Sequence, residues 1–126
     1  MSDYNLVSTG EATWLTPDML TSALSNSFPG TELEPDLLST APVTLWAYVP
    51  DRTGHTAEVT LDNSGRMLSF TDASRDLVAR IAVLLAQRFP APDGELQLWR
   101  WAPEPVPVSA RTEAADLLAP PAPKRT

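Results

Sequence analysis

The sequence lacks cysteine altogether and contains a single histidine, His55. Without cysteine the chain has no disulfides, thiol nucleophiles or thiolate metal ligands, which agrees with a cytoplasmic location. A metal site needs several converging histidine or carboxylate ligands, and no such spacing occurs. The phosphate-binding patterns GxxxxGKS/T and GxGxxG are also missing. We therefore expect no metal, no other cofactor and no catalytic residue, and we expect that the protein is not an enzyme.

Basic residues are scarce and are absent from residues 1–51, while the whole chain has a net charge of −7. Nucleic-acid phosphates require lysine and arginine, so we expect no nucleic-acid partner. The acidic first part would instead attract a basic protein partner, although ordinary solubility is an alternative role for this charge. Its acidic residues are Asp3, Glu11, Asp18, Glu32, Glu34, Asp36 and Asp51.

Long apolar runs are missing as well. No run reaches the roughly 18 residues of a membrane-spanning helix. The first ten residues have neither the basic nor the apolar region of a signal peptide. We therefore expect no membrane partner.

Two segments have the periodicity of amphipathic helices. Residues 71–90 place apolar side chains at steps of three and four, which predicts a long helix that ends at Pro90. Asp72 and Ser74 are both suitable N-caps for it. The Thr-Pro-Asp triplet at 16–18 predicts the start of an N-terminal helix. The apolar stripe of the long helix consists of Leu77, Val78, Ile81, Ala82, Leu84, Leu85 and Phe89.

Four further segments alternate apolar and polar residues, which is typical of strands with one buried face. They cover residues 43–49, 56–62, 66–71 and 95–101. The order predicts an α+β fold: a small antiparallel sheet of about four strands with a long amphipathic helix on one face, an N-terminal helix and a Pro-rich C-terminal tail. We expect a single domain over residues 1–102, with 1–10 frayed, and a tail over 103–126 with a short helix at 110–119.

If the long helix covers one face of this sheet, the opposite face carries four aromatic side chains. They are Trp46, Tyr48, Trp99 and Trp101. The N-terminal helix would cover them in a three-layer domain. Otherwise they form a partner-binding face, because tryptophan and tyrosine are favoured interface anchors. A one-residue register slip would exchange the two faces.

The order of helix, three strands, helix, strand and helix, with the small size and acidic pI, resembles the class I chaperones of type III secretion systems. Those proteins are cytoplasmic dimers that bind an effector segment over exposed apolar surface. The resemblance implies a homodimer that binds another protein in the same way.

The favoured hypothesis is a non-catalytic, acidic protein-binding module of the secretion-chaperone, immunity-type inhibitor or adaptor class. It would act through an acidic surface, an aromatic surface or both. A small structural subunit that uses the Pro-rich tail in a larger assembly is the alternative. A small enzyme is the least favoured, although Ser69, His55 and Asp51 supply the residue types of a catalytic triad. The candidate partner-binding residues are Trp46, Tyr48, Trp99, Trp101, Glu32, Glu34 and Asp36.

Overall fold

Alternating apolar and polar residues build one antiparallel sheet, with three helices packed against it. The computed structural model describes residues 3–35, 43–51 and 54–118. The elements are β1 (Tyr4–Ser8), α1 (Pro17–Ser27), β2 (Glu32–Pro35), β3 (Val43–Pro50), β4 (Thr56–Asp62), β5 (Met67–Thr71), α2 (Arg75–Arg88), β6 (Leu96–Trp99), β7 (Val106–Val108) and α3 (Ala114–Leu118).

The sheet has seven strands in the order β2-β3-β4-β5-β1-β6-β7, and all its pairs are antiparallel. The predicted α+β fold with about four strands and one long helix is therefore wrong. The fold is mostly sheet, and its longest helix, α2, has 14 residues. The order also begins with a strand, unlike the order on which the resemblance to class I chaperones rests.

Strand β1 lies inside the sheet, although the first ten residues were expected to be frayed. It pairs with β5 on one side and β6 on the other. Leu6 lies opposite both Leu68 and Leu98, and all three side chains are fully buried. A short segment is held in place here by two long-range pairings rather than by its own propensity.

The residues expected to form a Pro-rich tail return to the sheet, which is a second correction of the predicted fold. Residues 106–108 pair with β6 as an edge strand, where proline is tolerated because edge amides need no partner. The following helix α3 packs against α2 and buries Leu117. The remainder of the predicted tail, residues 119–126, lies outside the described residues.

All three helices lie on one face of the sheet. Leu20 of α1, Leu77 of α2 and Leu117 of α3 belong to the same buried cluster as the inward side chains of the strands. Helix α1 contacts α2 and β3, and the Arg80 guanidinium lies 5.5 Å from the Phe28 ring centre. The molecule therefore has two layers, and the three-layer arrangement is excluded for the described residues.

Each of the two longer helices begins directly after a residue whose side chain caps it. Thr16 accepts a hydrogen bond from the Met19 amide at the start of α1, as predicted. At the start of α2 the cap is Ser74, whose hydroxyl accepts from the Leu77 amide at 3.1 Å. Asp72 instead has a φ of 56° and belongs to the preceding turn.

None of the helices in the described residues is long and apolar enough to cross a membrane.

Candidate functional site on the open face of the sheet

The face of the sheet opposite the helices carries the candidate functional residues. In every strand with alternating burial, the buried positions point to the helices and the intervening side chains point away. We call this second surface the open face, because none of the three described helices covers it. Its residues include Glu32, Glu34, Trp46, Tyr48, Glu58, Thr60, Ser69, Asn5, Val7, Met67 and Trp99.

The strand register aligns one row of side chains across the open face. Each member lies directly opposite its neighbour on the adjacent strand, so their side chains share the face. The row, called the central row below, runs Glu34, Trp46, Thr60, Ser69, Asn5, Trp99 from β2 to β6. A tryptophan thus stands near each end of the row. Between them lie small polar side chains, and the Ser69 hydroxyl donates to Asn5 Oδ1 at 2.9 Å.

One end of the open face is acidic and aromatic, and consists of Glu32, Glu34, Trp46, Tyr48 and Glu58. Tyr48 lies between Glu32 on β2 and Glu58 on β4, while Trp46 lies beside Glu34. Partial burial of the phenol raises the pKa of Tyr48, and the negative charges of Glu34 and Glu58 raise it further. This acidic end therefore concentrates negative charge around two aromatic rings.

No positive charge balances these carboxylates on the sheet itself. None of the seven described strands contains lysine or arginine. In the described part of the chain, no ion pair involves Glu32, Glu34 or Glu58, and the ion pair between Asp76 and Arg80 lies on α2. The acidic end is therefore complementary to an external cation.

The other end of the open face is apolar, and consists of Val7, Met67 and Trp99. Val7 and Met67 are direct neighbours on β1 and β5. Trp99 is 45% exposed and Met67 36% exposed, which are high values for large apolar side chains. Together with polar neighbours such as Arg66, the three line a shallow depression of about 430 Å³. The apolar end thus offers a site for an apolar side chain.

Five of the seven predicted partner-binding residues lie on the open face: Trp46, Tyr48, Trp99, Glu32 and Glu34. Trp101 does not, which corrects its predicted position. Arg100 has a φ of 68° and ends the alternation, so the Trp101 indole turns to the helical side. There it stacks 3.7 Å from the Arg75 guanidinium and donates to the Leu117 carbonyl at 3.0 Å. Asp36 lies outside the described residues.

Val7, Met67 and Glu58 were not among the predicted site residues. Alternation in residues 56–62 already placed Glu58 on the outer side of its strand, so the sequence could have identified it as a site residue. The position of Val7 depends on the pairing of β1 with β5, and that pairing joins residues about 60 positions apart. Local periodicity carries no information on such a distant partner.

Ser69 does not join His55 and Asp51, so the predicted set of three triad residues is not brought together. The Asp51 carboxylate accepts hydrogen bonds from the Ser74 amide and hydroxyl at 2.7 and 2.9 Å, while the Ser69 hydroxyl bonds to Asn5. His55 is exposed beside a cavity of about 560 Å³ at the start of α2. In residues 3–35, 43–51 and 54–118, no three His, Asp or Glu side chains converge in a way that would hold a metal ion.

These features define a two-layer domain in which helices cover one face of an antiparallel sheet and an acidic, aromatic surface occupies the other. No protein-family model matches the chain, and no curated protein or solved structure is significantly similar to it.

Proposed function

We propose that this protein is a non-catalytic protein-binding module, and that its open face binds a basic segment of another protein. One observation carries the proposal: the open face combines Trp46, Tyr48 and Trp99 with several carboxylates, and the described strands contain no basic residue. Charge of one sign around the half-buried rings of Trp46 and Tyr48 favours a partner of the opposite sign.

The aromatic side chains supply affinity in this proposal. Trp and Tyr bury a large area on binding and are enriched among residues that dominate interface energies. Arginine or lysine of the partner would stack on Trp46 or Tyr48, where ring faces attract cations. The neighbouring carboxylates of Glu34 and Glu58 would pair with the same cation.

Both edges of the sheet are poor sites for an added strand, which favours binding on the face. Edge strand β2 ends at Pro35 and edge strand β7 has Pro107 at its centre. Proline lacks the amide hydrogen that a pairing strand requires. A chaperone, an immunity-type inhibitor and an adaptor would each use such a face, and the proposal covers these three classes together.

Selection from a library of random linear peptides on the immobilised protein tests the proposal. We expect the selected peptides to be basic and to bind more weakly as salt is raised. Trp46→Ala and Glu34→Gln should each weaken the binding about tenfold, while Glu104→Gln, in the exposed β6–β7 connection, should leave it unchanged. Failure to select basic peptides, or equal binding to Trp46→Ala, would overturn the proposal.

A further inference from the structure

We infer that the bound segment runs across the strands along the central row, with a basic residue at the acidic end and an apolar residue at the apolar end. This inference rests on the proposed function and specifies the chemistry of the partner. The partner is an extended segment of another protein in which these two residues are separated by a fixed distance along the chain.

The direction follows from the strands to which the two ends belong. The acidic end is formed by β2, β3 and β4, whereas the apolar end is formed by β5, β1 and β6. A segment that ran parallel to the strands would contact one end and miss the other. Only a segment that crosses the strands brings both kinds of surface into one interface.

The middle of the central row leaves room for such a segment. Thr60, Ser69 and Asn5 are smaller than the tryptophans on either side, so the row is low at its centre. Their hydroxyl and amide groups match the hydrogen-bonding groups of a peptide backbone. The Thr60 hydroxyl makes no hydrogen bond within the described residues, and would accept a backbone N–H of the segment.

The spacing follows from the geometry of sheets and extended chains. Trp46 and Trp99 lie on strands four positions apart in the sheet. Neighbouring strands are about 4.8 Å apart, so the two tryptophans are separated by about 19 Å. An extended chain spans about 3.3 Å per residue. The basic and apolar residues of the partner should therefore lie about six positions apart.

The inference is tested on a peptide selected as above, by alanine scanning of the peptide and by double-mutant cycles with the protein. We expect two critical positions about six residues apart, one basic and one apolar. Replacing the basic residue by alanine should couple to Glu34→Gln, and replacing the apolar residue should couple to Trp99→Ala. Each single loss should weaken binding about tenfold, and shifting the spacing by two residues should weaken it by a similar factor.

The outcomes separate the inference from the proposed function. Basic peptides that require Trp46 but bind Trp99→Ala as tightly as the wild type would overturn the inference and leave the proposed function standing. Peptides in which both critical residues couple to Glu34→Gln would overturn it in the same way. Peptides indifferent to both Trp46→Ala and Trp99→Ala would overturn the two together. Trp99 is suited to this test because its half-exposed side chain contributes less to the fold than the buried Trp101 does.

Discussion

At the scale of single residues, Trp99 and Trp101 show how one backbone angle separates two roles. They are two positions apart, and a regular strand would place both on the same face. The positive φ of Arg100 turns the second indole to the helical side, where it is 7% exposed and contacts the Tyr4 ring, with 5.1 Å between ring centres. Trp101 consequently belongs to the packing of the fold, and Trp99 to the surface.

This difference predicts that alanine substitution destabilises the protein much more at Trp101 than at Trp99. Trp101→Ala should lower the free energy of unfolding by about 3–5 kcal/mol, because it removes a buried indole and its hydrogen bond to the Leu117 carbonyl. Trp99→Ala should lower it by a smaller amount, about 1 kcal/mol, because the Trp99 side chain is half exposed. Urea denaturation of the two variants measures both values. Equal destabilisation would contradict the assigned positions.

The raised pKa of Tyr48 predicts that the stability of the fold depends on pH. Its pKa lies above the ordinary value of about 10 because of partial burial and the charges of Glu34 and Glu58. From the unfolded pKa up to the folded pKa, the folded state retains a proton that the unfolded chain has lost. The free energy of unfolding should therefore decrease as pH rises through this interval. Tyr48→Phe should remove the decrease that is due to the Tyr48 phenol.

The raised pKa itself is measurable by ultraviolet titration of the phenolate. The chain has two tyrosines, so the signal of Tyr48 is assigned in a Tyr4→Phe background. Glu34→Gln and Glu58→Gln should each lower the Tyr48 pKa, whereas Glu104→Gln should not. A Tyr48 pKa at or below the ordinary value would be inconsistent with the acidic end as described.

At the scale of elements, the turn between β4 and β5 holds the segment that leads into α1. The Gly65 carbonyl accepts hydrogen bonds from the Trp14 and Leu15 amides at 3.1 and 2.8 Å. Gly65 has a φ of 69°, and a Cβ at this position would clash with the Leu15 carbonyl oxygen. The glycine thus permits both the turn and the close approach of the chain before α1.

A matched pair of glycine substitutions separates these two effects. Gly54 also has a positive φ, 83°, but a Cβ there would meet nothing within 4 Å. Gly54→Ala should therefore cost only the conformational penalty, about 1 kcal/mol. Gly65→Ala should cost about 3 kcal/mol, because the Leu15 backbone must also shift. Thermal unfolding compares the variants, and equal costs would show that the close approach is unimportant.

At the scale of the whole molecule, segments near both ends of the described chain complete the sheet and its cover. β1 fills the gap between β5 and β6, while β7 and α3 extend the sheet and cover its far end. The Trp101 indole joins these parts, because it contacts Tyr4 of β1, Arg75 of α2 and Leu117 of α3. Stability at this end of the sheet should therefore depend on the short helix α3.

Two adjacent leucines of α3 test this dependence. Leu117 is 6% exposed and Leu118 is 39% exposed. Leu117→Ala should cost at least about 2 kcal/mol and should speed solvent exchange of the Trp101 indole proton, since the carbonyl that accepts it moves. Leu118→Ala should have little effect on either quantity. If the indole proton exchanged at the wild-type rate in Leu117→Ala, α3 would not hold Trp101.

Much of the middle of the chain was predictable from local pattern. The capping triplet at 16–18 and the periodicity of 71–90 located α1 and α2, which occupy Pro17–Ser27 and Arg75–Arg88. Alternation located β3, β4 and β5, and it placed Trp46 and Tyr48 on the face opposite the long helix. These signals are reliable because each element has enough inward side chains to reveal its own period.

By itself, then, the sequence determined the two main helices, the central strands and the position of Trp46 and Tyr48 opposite the long helix, since these depend on residue spacing. Tertiary structure alone decided the positions of β1, β2 and β7, the packing of α1 beside α2, and the burial of Trp101. The short strands β2 and β7 contain proline, which is unfavourable in a strand, and β1 pairs with residues about 60 to 90 positions further along the chain. Such a segment joins the sheet when it covers apolar surface that the other elements leave exposed to water.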